Sequence, residues 1–95
     1  MKFKIDIDDT ILKSENNYKD IKPFYGIIKK INDLYNRGDI IIIETGRHWD
    51  YLDLTLNQLK QIGLKFHTLI MGKPPVDYSI DDKNLTPYEF MVRKF

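Results

Sequence analysis

Residues 39–45 read Asp-Ile-Ile-Ile-Ile-Glu-Thr, and this β-branched run constrains the fold more than any other stretch. Four consecutive isoleucines are long enough for a buried strand of a parallel sheet, and too short for a helix of ordinary length. Helical spacing flanks the run on both sides. Before it, Phe24, Ile27, Ile28, Ile31, Leu34 and Tyr35 recur on one helical face, with Pro23 suited to the first turn and Gly38 to the stop. After it, Trp49, Leu52, Leu56, Leu59 and Ile62 form a second stripe, ended by Gly63. Phe3, Ile5 and Ile7 alternate with polar residues, which predicts a first strand over residues 2–7. Residues 65–71 predict a third strand, and residues 76–80 a short fourth. Thr86, Pro87 and Glu89 form a capping-box pattern that predicts a short C-terminal helix.

Strands alternating with helices imply a parallel sheet with right-handed crossovers. The predicted fold class is α/β: a small Rossmann-like three-layer fold with a mostly parallel four-stranded sheet. The 95 residues form a single domain, residues 1–95. Residues 8–22 are polar and irregular and predict a loop or small flap. Residues 46–65 hold a single helix.

Composition narrows the function classes. The absence of cysteine removes disulfides and thiolate metal sites. A formal net charge of +1 gives no electrostatic case for nucleic acid or an anionic membrane. No apolar run approaches the roughly 20 residues of a membrane span. Charged residues at positions 2, 4 and 6 interrupt any signal-peptide core. The expectation is a soluble, cytoplasmic protein.

In parallel sheets, ligands sit beyond the carboxyl ends of the strands. Asp6 and Asp8 end the first strand, Thr45, Gly46 and Arg47 end the second, Lys73 follows the third, and Asp81 and Asp82 follow the fourth. All can converge on one crevice. Like charges as close as Asp6, Asp8 and Asp9 repel unless a cation compensates. Several carboxylates without sulfur favour a hard cation, and Mg²⁺ is the natural choice beside a phosphate. Asp6 and Asp8, two residues apart, project to one side if the strand continues. One can act as nucleophile while the other handles protons. A hydroxyl and a lysine can hold the remaining phosphoryl oxygens.

These positions resemble the haloacid dehalogenase-like (HAD) superfamily of phosphohydrolases. Asp-Ile-Asp-Asp-Thr at 6–10 resembles its D-x-D-x-T first motif, Thr45 its second-motif hydroxyl, Lys73 its third-motif lysine, and Ile-Asp-Asp at 80–82 its acidic fourth motif. The matches span 6–82. The resemblance implies that Asp6 attacks phosphorus and forms an aspartyl phosphate. It implies that Asp8 protonates the leaving oxygen and then activates water. Thr45 would bind a phosphoryl oxygen, and Lys73 would neutralise charge on Asp6 and the phosphoryl group. Mg²⁺ would sit on Asp6, the Asp8 carbonyl and Asp81, with Asp82 direct or through water. Thr45, Gly46 and Arg47 would line the substrate, and His48 stands next to them; His67 reads as structural.

Two departures from the family pattern stand out. Asp9 occupies a position that is often glycine, and only about seven residues separate strands three and four, where a crossover usually takes a dozen or more. Lys73 is therefore expected in a loop, and one sheet face, with Lys2 and Lys4, is expected to be thinly covered.

The stretch 72–83 also resembles small capless relatives associated with surface-polysaccharide or sugar-phosphate pathways. The expected substrate is a small phosphorylated metabolite such as a sugar phosphate. A polynucleotide 3′-phosphatase is the enzymatic alternative, and a catalytically inactive HAD-like binding module is the other. Apolar residues of the C-terminal segment, Tyr88, Met91, Val92 and Phe95, could meet a second copy, so a homodimer is also expected.

Overall fold

The computed structural model describes residues 1–95. The strands are β1 (Lys2–Asp6), β2 (Leu12–Glu15), β3 (Asp20–Pro23), β4 (Ile40–Glu44) and β5 (Thr68–Ile70). The helices are α1 (Tyr25–Arg37), α2 (Leu52–Gln61) and α3 (Pro87–Val92), and a 3₁₀ turn at Trp49–Tyr51 precedes α2. β1, β4 and β5 form a parallel sheet in the order β1-β4-β5, and β2 and β3 form a separate antiparallel hairpin.

α1 forms where its apolar face predicts, with Ile27, Ile28, Ile31 and Leu34 buried. Gly38 ends it in the left-handed region, at φ 104°, where its N–H reaches the carbonyls of Leu34 and Tyr35. Pro23 closes β3 and does not enter the helix. α3 carries the full capping box, with Thr86 accepting from the Glu89 N–H and the Glu89 side chain reaching back.

Register explains the layering. Phe3 pairs with Ile41, Ile5 with Ile43, and Ile43 with Leu69. These residues share one face, and that face meets a core drawn from all three helices, including Ile31, Leu59 and Phe90. The alternate positions, Lys4, Ile42 and Thr68 in one row and Asp6, Glu44 and Ile70 in the next, lie on the other face. No element covers that face, and Lys4 pairs with Glu44 there at 3.5 Å. The expected three layers are therefore two. The isoleucine run is buried only at Ile41 and Ile43, while Ile40 stays 37% exposed. α3 packs beside α1 and not on the bare face, setting Phe90 and Phe95 against Phe3 at 6.1 and 4.9 Å.

The expected fourth strand is also absent. Residues 76–80 join no ladder and bend at Asp77, and Val76, Tyr78 and Ile80 stand in solvent. Pro74 and Pro75 lead into this stretch and have no N–H to offer a ladder. The free edge of β1 is left unpaired on that side. No cap domain is present, and the connection from β1 to α1 carries only the hairpin. No helix is long and apolar enough to cross a membrane.

Candidate active site at the carboxyl ends of the strands

Asp6 is the last residue of β1, paired in register with Glu44 at the end of β4. Burial raises its carboxyl above the ordinary value; the Lys73 charge and the Ile7 N–H pull it back, and the Asp8 and Glu44 charges push it up again. Lys73 Nζ stands 3.9 Å from Asp6 Oδ1. This carboxylate is half-buried, pressed by two like charges and faced by one cation at arm's length.

Lys73 has no helix beneath it, yet its position is fixed by a continuation of the sheet. Beyond β4 and β5 the chains keep pairing: Thr45 N donates to Ile70 O, Lys73 N to Thr45 O, and Gly72 N to Arg47 O, each at 2.9 Å. Gly72 sits at φ +75°, and a Cβ there would press on the Trp49 indole at 3.3 Å. Gly46 lies close under the Lys73 carbonyl, at 3.4 Å from an added Cβ. The loop lysine is thus placed by backbone rungs and by one aromatic plate.

Thr45 is buried, and its Oγ1 accepts from the Arg47 N–H at 3.1 Å. A hydroxyl that accepts one bond still has its own proton to donate. The same turn is continued by His48, whose Nδ1 accepts from Asp50 N at 3.2 Å and starts the 3₁₀ turn.

Asp8 and Arg47 form the densest polar contact in the molecule. Arg47 is 1% exposed, and its fork binds both Asp8 oxygens, Nε to Oδ2 at 3.0 Å and Nη2 to Oδ1 at 2.9 Å. Its remaining Nη1 donates to Thr55 Oγ1 at 3.1 Å and Gln58 Oε1 at 2.6 Å, both on α2. Ser14 on β2 adds a hydroxyl donor to Asp8 Oδ1 at 2.6 Å. Arg47, expected to line the substrate, is instead turned inward and committed to the protein. It also resets α2: Thr55 and Gln58 are buried to meet it, and Leu56, expected in the apolar stripe, turns out to 40% exposure.

The β2–β3 hairpin stands over this corner. Asp9 enters it at φ 64°, and Asn16, Asn17 and Tyr18 turn its tip at φ 53°, 54° and 68°. Asn tolerates this region well, and glycine would take it at Asp9 without strain. Between the hairpin tip and the turn after β4 lies a cavity of about 460 Å³, lined by Ser14, Asn16, Asn17, Tyr18, His48 and Tyr51 among others. Its walls are mostly polar, and it opens beside Asp8 through Ser14.

Asp81 and Asp82 do not join Asp6 and Asp8. They are exposed on the loop before α3. The Lys83 N–H, with help from Asp82, holds the Asp81 carboxyl below the ordinary value. No three Asp, Glu or His side chains converge as a metal-holding group. Of the expected ligands, Asp6 and the Asp8 carbonyl lie at the end of β1, and Asp81 stands apart from them on its loop, while the Asp8 carboxylate is held by Arg47 and Ser14. His67 is structural, with Nδ1 accepting from Ile41 N at 3.0 Å and its ring stacked on Tyr35 at 4.5 Å.

Ser14, Tyr18, Glu44, Trp49, Thr55 and Gln58 are site residues that motif reading misses. The one available signal was polar: Thr55 and Gln58 interrupt the apolar neighbourhood of α2 at a spacing of three.

No family model and no curated protein matches the chain. A crystal structure of a target protein from Vibrio cholerae superposes with a TM-score of 0.87 at 21% identity, covering 98% of this chain and 89% of that one. At that identity the likeness is one of fold.

Proposed function

We propose that the protein is a cytoplasmic, Mg²⁺-dependent phosphatase of the HAD type. Its substrate on this reading is a small phosphate monoester, a sugar phosphate or related metabolite, hydrolysed through an aspartyl phosphate. One observation carries the reading: Asp6 is a half-buried carboxylate with a raised pKa, at a strand end, with Lys73 3.9 Å away. A carboxylate perturbed by burial and faced by a specific charge partner at a strand end is a functional-site candidate.

The chemistry runs through the chain's own groups. An Asp6 oxygen attacks phosphorus, and the bond from phosphorus to the leaving oxygen breaks. Asp8 gives that oxygen a proton. A water then attacks phosphorus, Asp8 takes back a proton, and phosphate leaves a regenerated Asp6 carboxylate. Thr45 donates its hydroxyl to a phosphoryl oxygen, and Lys73 supplies positive charge where negative charge builds up. Mg²⁺ belongs to the proposal as the ion an all-oxygen donor set takes. Holding it requires Asp81 or Asp82 to come to Asp6, and with them the 76–80 segment that the family reading makes a fourth strand.

The open polar hollow under the hairpin is lined by Gly46 and Ser14, neighbours of Thr45 and Asp8, and leaves space beside the proposed catalytic groups for a small polar leaving group. With a net charge of +1, little favours a polynucleotide backbone. A second reading is favoured by the Asp8–Arg47 pair and the scattered acids: a phosphate-binding module that turns nothing over. A panel of phosphate esters with Mg²⁺ decides between them. Phosphate release that a chelator abolishes supports the phosphatase. Binding of phosphate esters without release, across the panel, supports the module.

A further inference from the structure

The guanidinium of Arg47 has five N–H donors, and four go to Asp8, Thr55 and Gln58. A buried cation is costly unless it is paired and hydrogen-bonded, so this cluster must form as a unit. Its lid comes from the hairpin. The Tyr18 ring lies over the guanidinium at 4.5 Å and meets Tyr51 edge-on at 5.0 Å. The Gln58 amide donates back to the Tyr18 carbonyl, so α2 grips the hairpin tip and Arg47 together. The hairpin reaches Asp8 a second time through Ser14. Oδ1 of Asp8 therefore accepts two bonds and Oδ2 accepts one. Each carboxylate oxygen has two lone pairs, so Oδ2 is the oxygen with room for a proton in transit.

We propose that Arg47 is a positioning residue that aims the Asp8 carboxylate, and that the β2–β3 hairpin, through Tyr18 and Ser14, holds that aim. The proposal rests on the phosphatase reading, in which Asp8 works on the leaving oxygen. It makes the hairpin part of the acid–base machinery as well as a wall of the polar hollow beside it. Loosening the cluster weakens proton delivery and leaves attack by Asp6 in place. The losses in kcat/KM, which reports the steps up to loss of the leaving group, then scale with the basicity of the leaving group.

Arg47→Lys keeps the charge and removes the fork. Its kcat/KM on a sugar phosphate, whose leaving group is an alkoxide, falls about 100-fold, the scale of one general acid. On p-nitrophenyl phosphate, whose leaving group needs no proton, kcat/KM falls less than about threefold, because that constant reports only the steps up to loss of the leaving group and the acid is not used there. Hydrolysis of the aspartyl phosphate, where Asp8 is the base, slows alike for both esters. Tyr18→Leu and Ser14→Ala, at positions less central to folding, show the same split with smaller losses. In an Asp8→Asn background, the three substitutions lose their leaving-group dependence, because coupled residues are non-additive. If Arg47→Lys fails to fold, Tyr18→Leu and Ser14→Ala carry the test alone. An active wild type in which these variants lower kcat/KM equally for both esters, or act undiminished on Asp8→Asn, overturns the proposal and leaves the phosphatase standing. A wild type that hydrolyses neither ester overturns both.

Discussion

The two acidic pairs of this chain have opposite surroundings. Asp6 and Asp8 lie at the end of β1, one half-buried beside Lys73 and the other held by Arg47 and Ser14. Asp81 and Asp82 lie on an exposed loop, and the bonds that fix Asp81 come from its neighbours Lys83 and Asp82. The first pair is tied to β4, α2 and the hairpin, so changing it disturbs the whole corner. The second pair is held mainly by its own loop, with the Lys4 charge of β1 as a smaller influence on Asp81.

Removing Arg47 should produce the largest change in stability. Arg47→Met leaves Asp8, Thr55 and Gln58 without their shared donor, and should lower unfolding free energy by about 3 kcal/mol in a denaturant titration. Asp81→Asn and Asp82→Asn should leave the same midpoint unmoved. Comparable losses at both sites would erase the contrast between the pairs.

Asp6 sharpens the comparison in the other direction. Its folded pKa is raised by burial, so its charge costs stability at pH values above the unfolded carboxylate pKa. That cost fades as pH falls through the raised value and is gone below both. Asp6→Asn should therefore melt higher than wild type at pH 7 in the presence of chelator, and the gain should shrink on acidification. A lower melting temperature at pH 7 would mean that Asp6 is a structural acid.

Asp9 tests the hairpin entry. A non-glycine residue at φ 64° bears left-handed strain of about 1 kcal/mol. Asp9→Gly should recover part of it, read as a small rise in denaturation midpoint. The smallest effect concerns assembly. Ile40 and Ile70 on the uncovered sheet face, at 37% and 41% exposure, are apolar surface that a second copy could bury. Light scattering at micromolar concentration should report a dimer that Ile70→Lys weakens. A monomer would leave the sheet face as ordinary surface.

Local periodicity made the frame legible. The α1 stripe, the capping box at Thr86 and the alternation of β1 each follow from neighbours in sequence, and each appears as read. What depends on distant partners did not follow. Val76, Tyr78 and Ile80 alternate as a strand would, but alternation does not supply an edge to pair with. Four isoleucines suggest burial on both faces, whereas only a second layer could provide it, and no element lies on that face. The phase of α2 is set by Arg47, thirty-nine residues from Asp8 in sequence, whose inward turn no local pattern announces. In the site, the same division holds. Asp6, Thr45 and Lys73 come together because strand ends in a parallel sheet share one rim. Asp81 and Asp82 do not, because the strand meant to carry them is not formed.

The central claim is that Asp6 is a nucleophile. Its most direct test is intact mass spectrometry on a sample quenched in acid during turnover of a phosphate ester with Mg²⁺. An aspartyl phosphate survives acid, so wild type should gain the mass of one phosphoryl group, on the peptide that carries Asp6, and Asp6→Asn should gain none and release no phosphate. Phosphate release that continues in Asp6→Asn, with no adduct on wild type, would contradict the account.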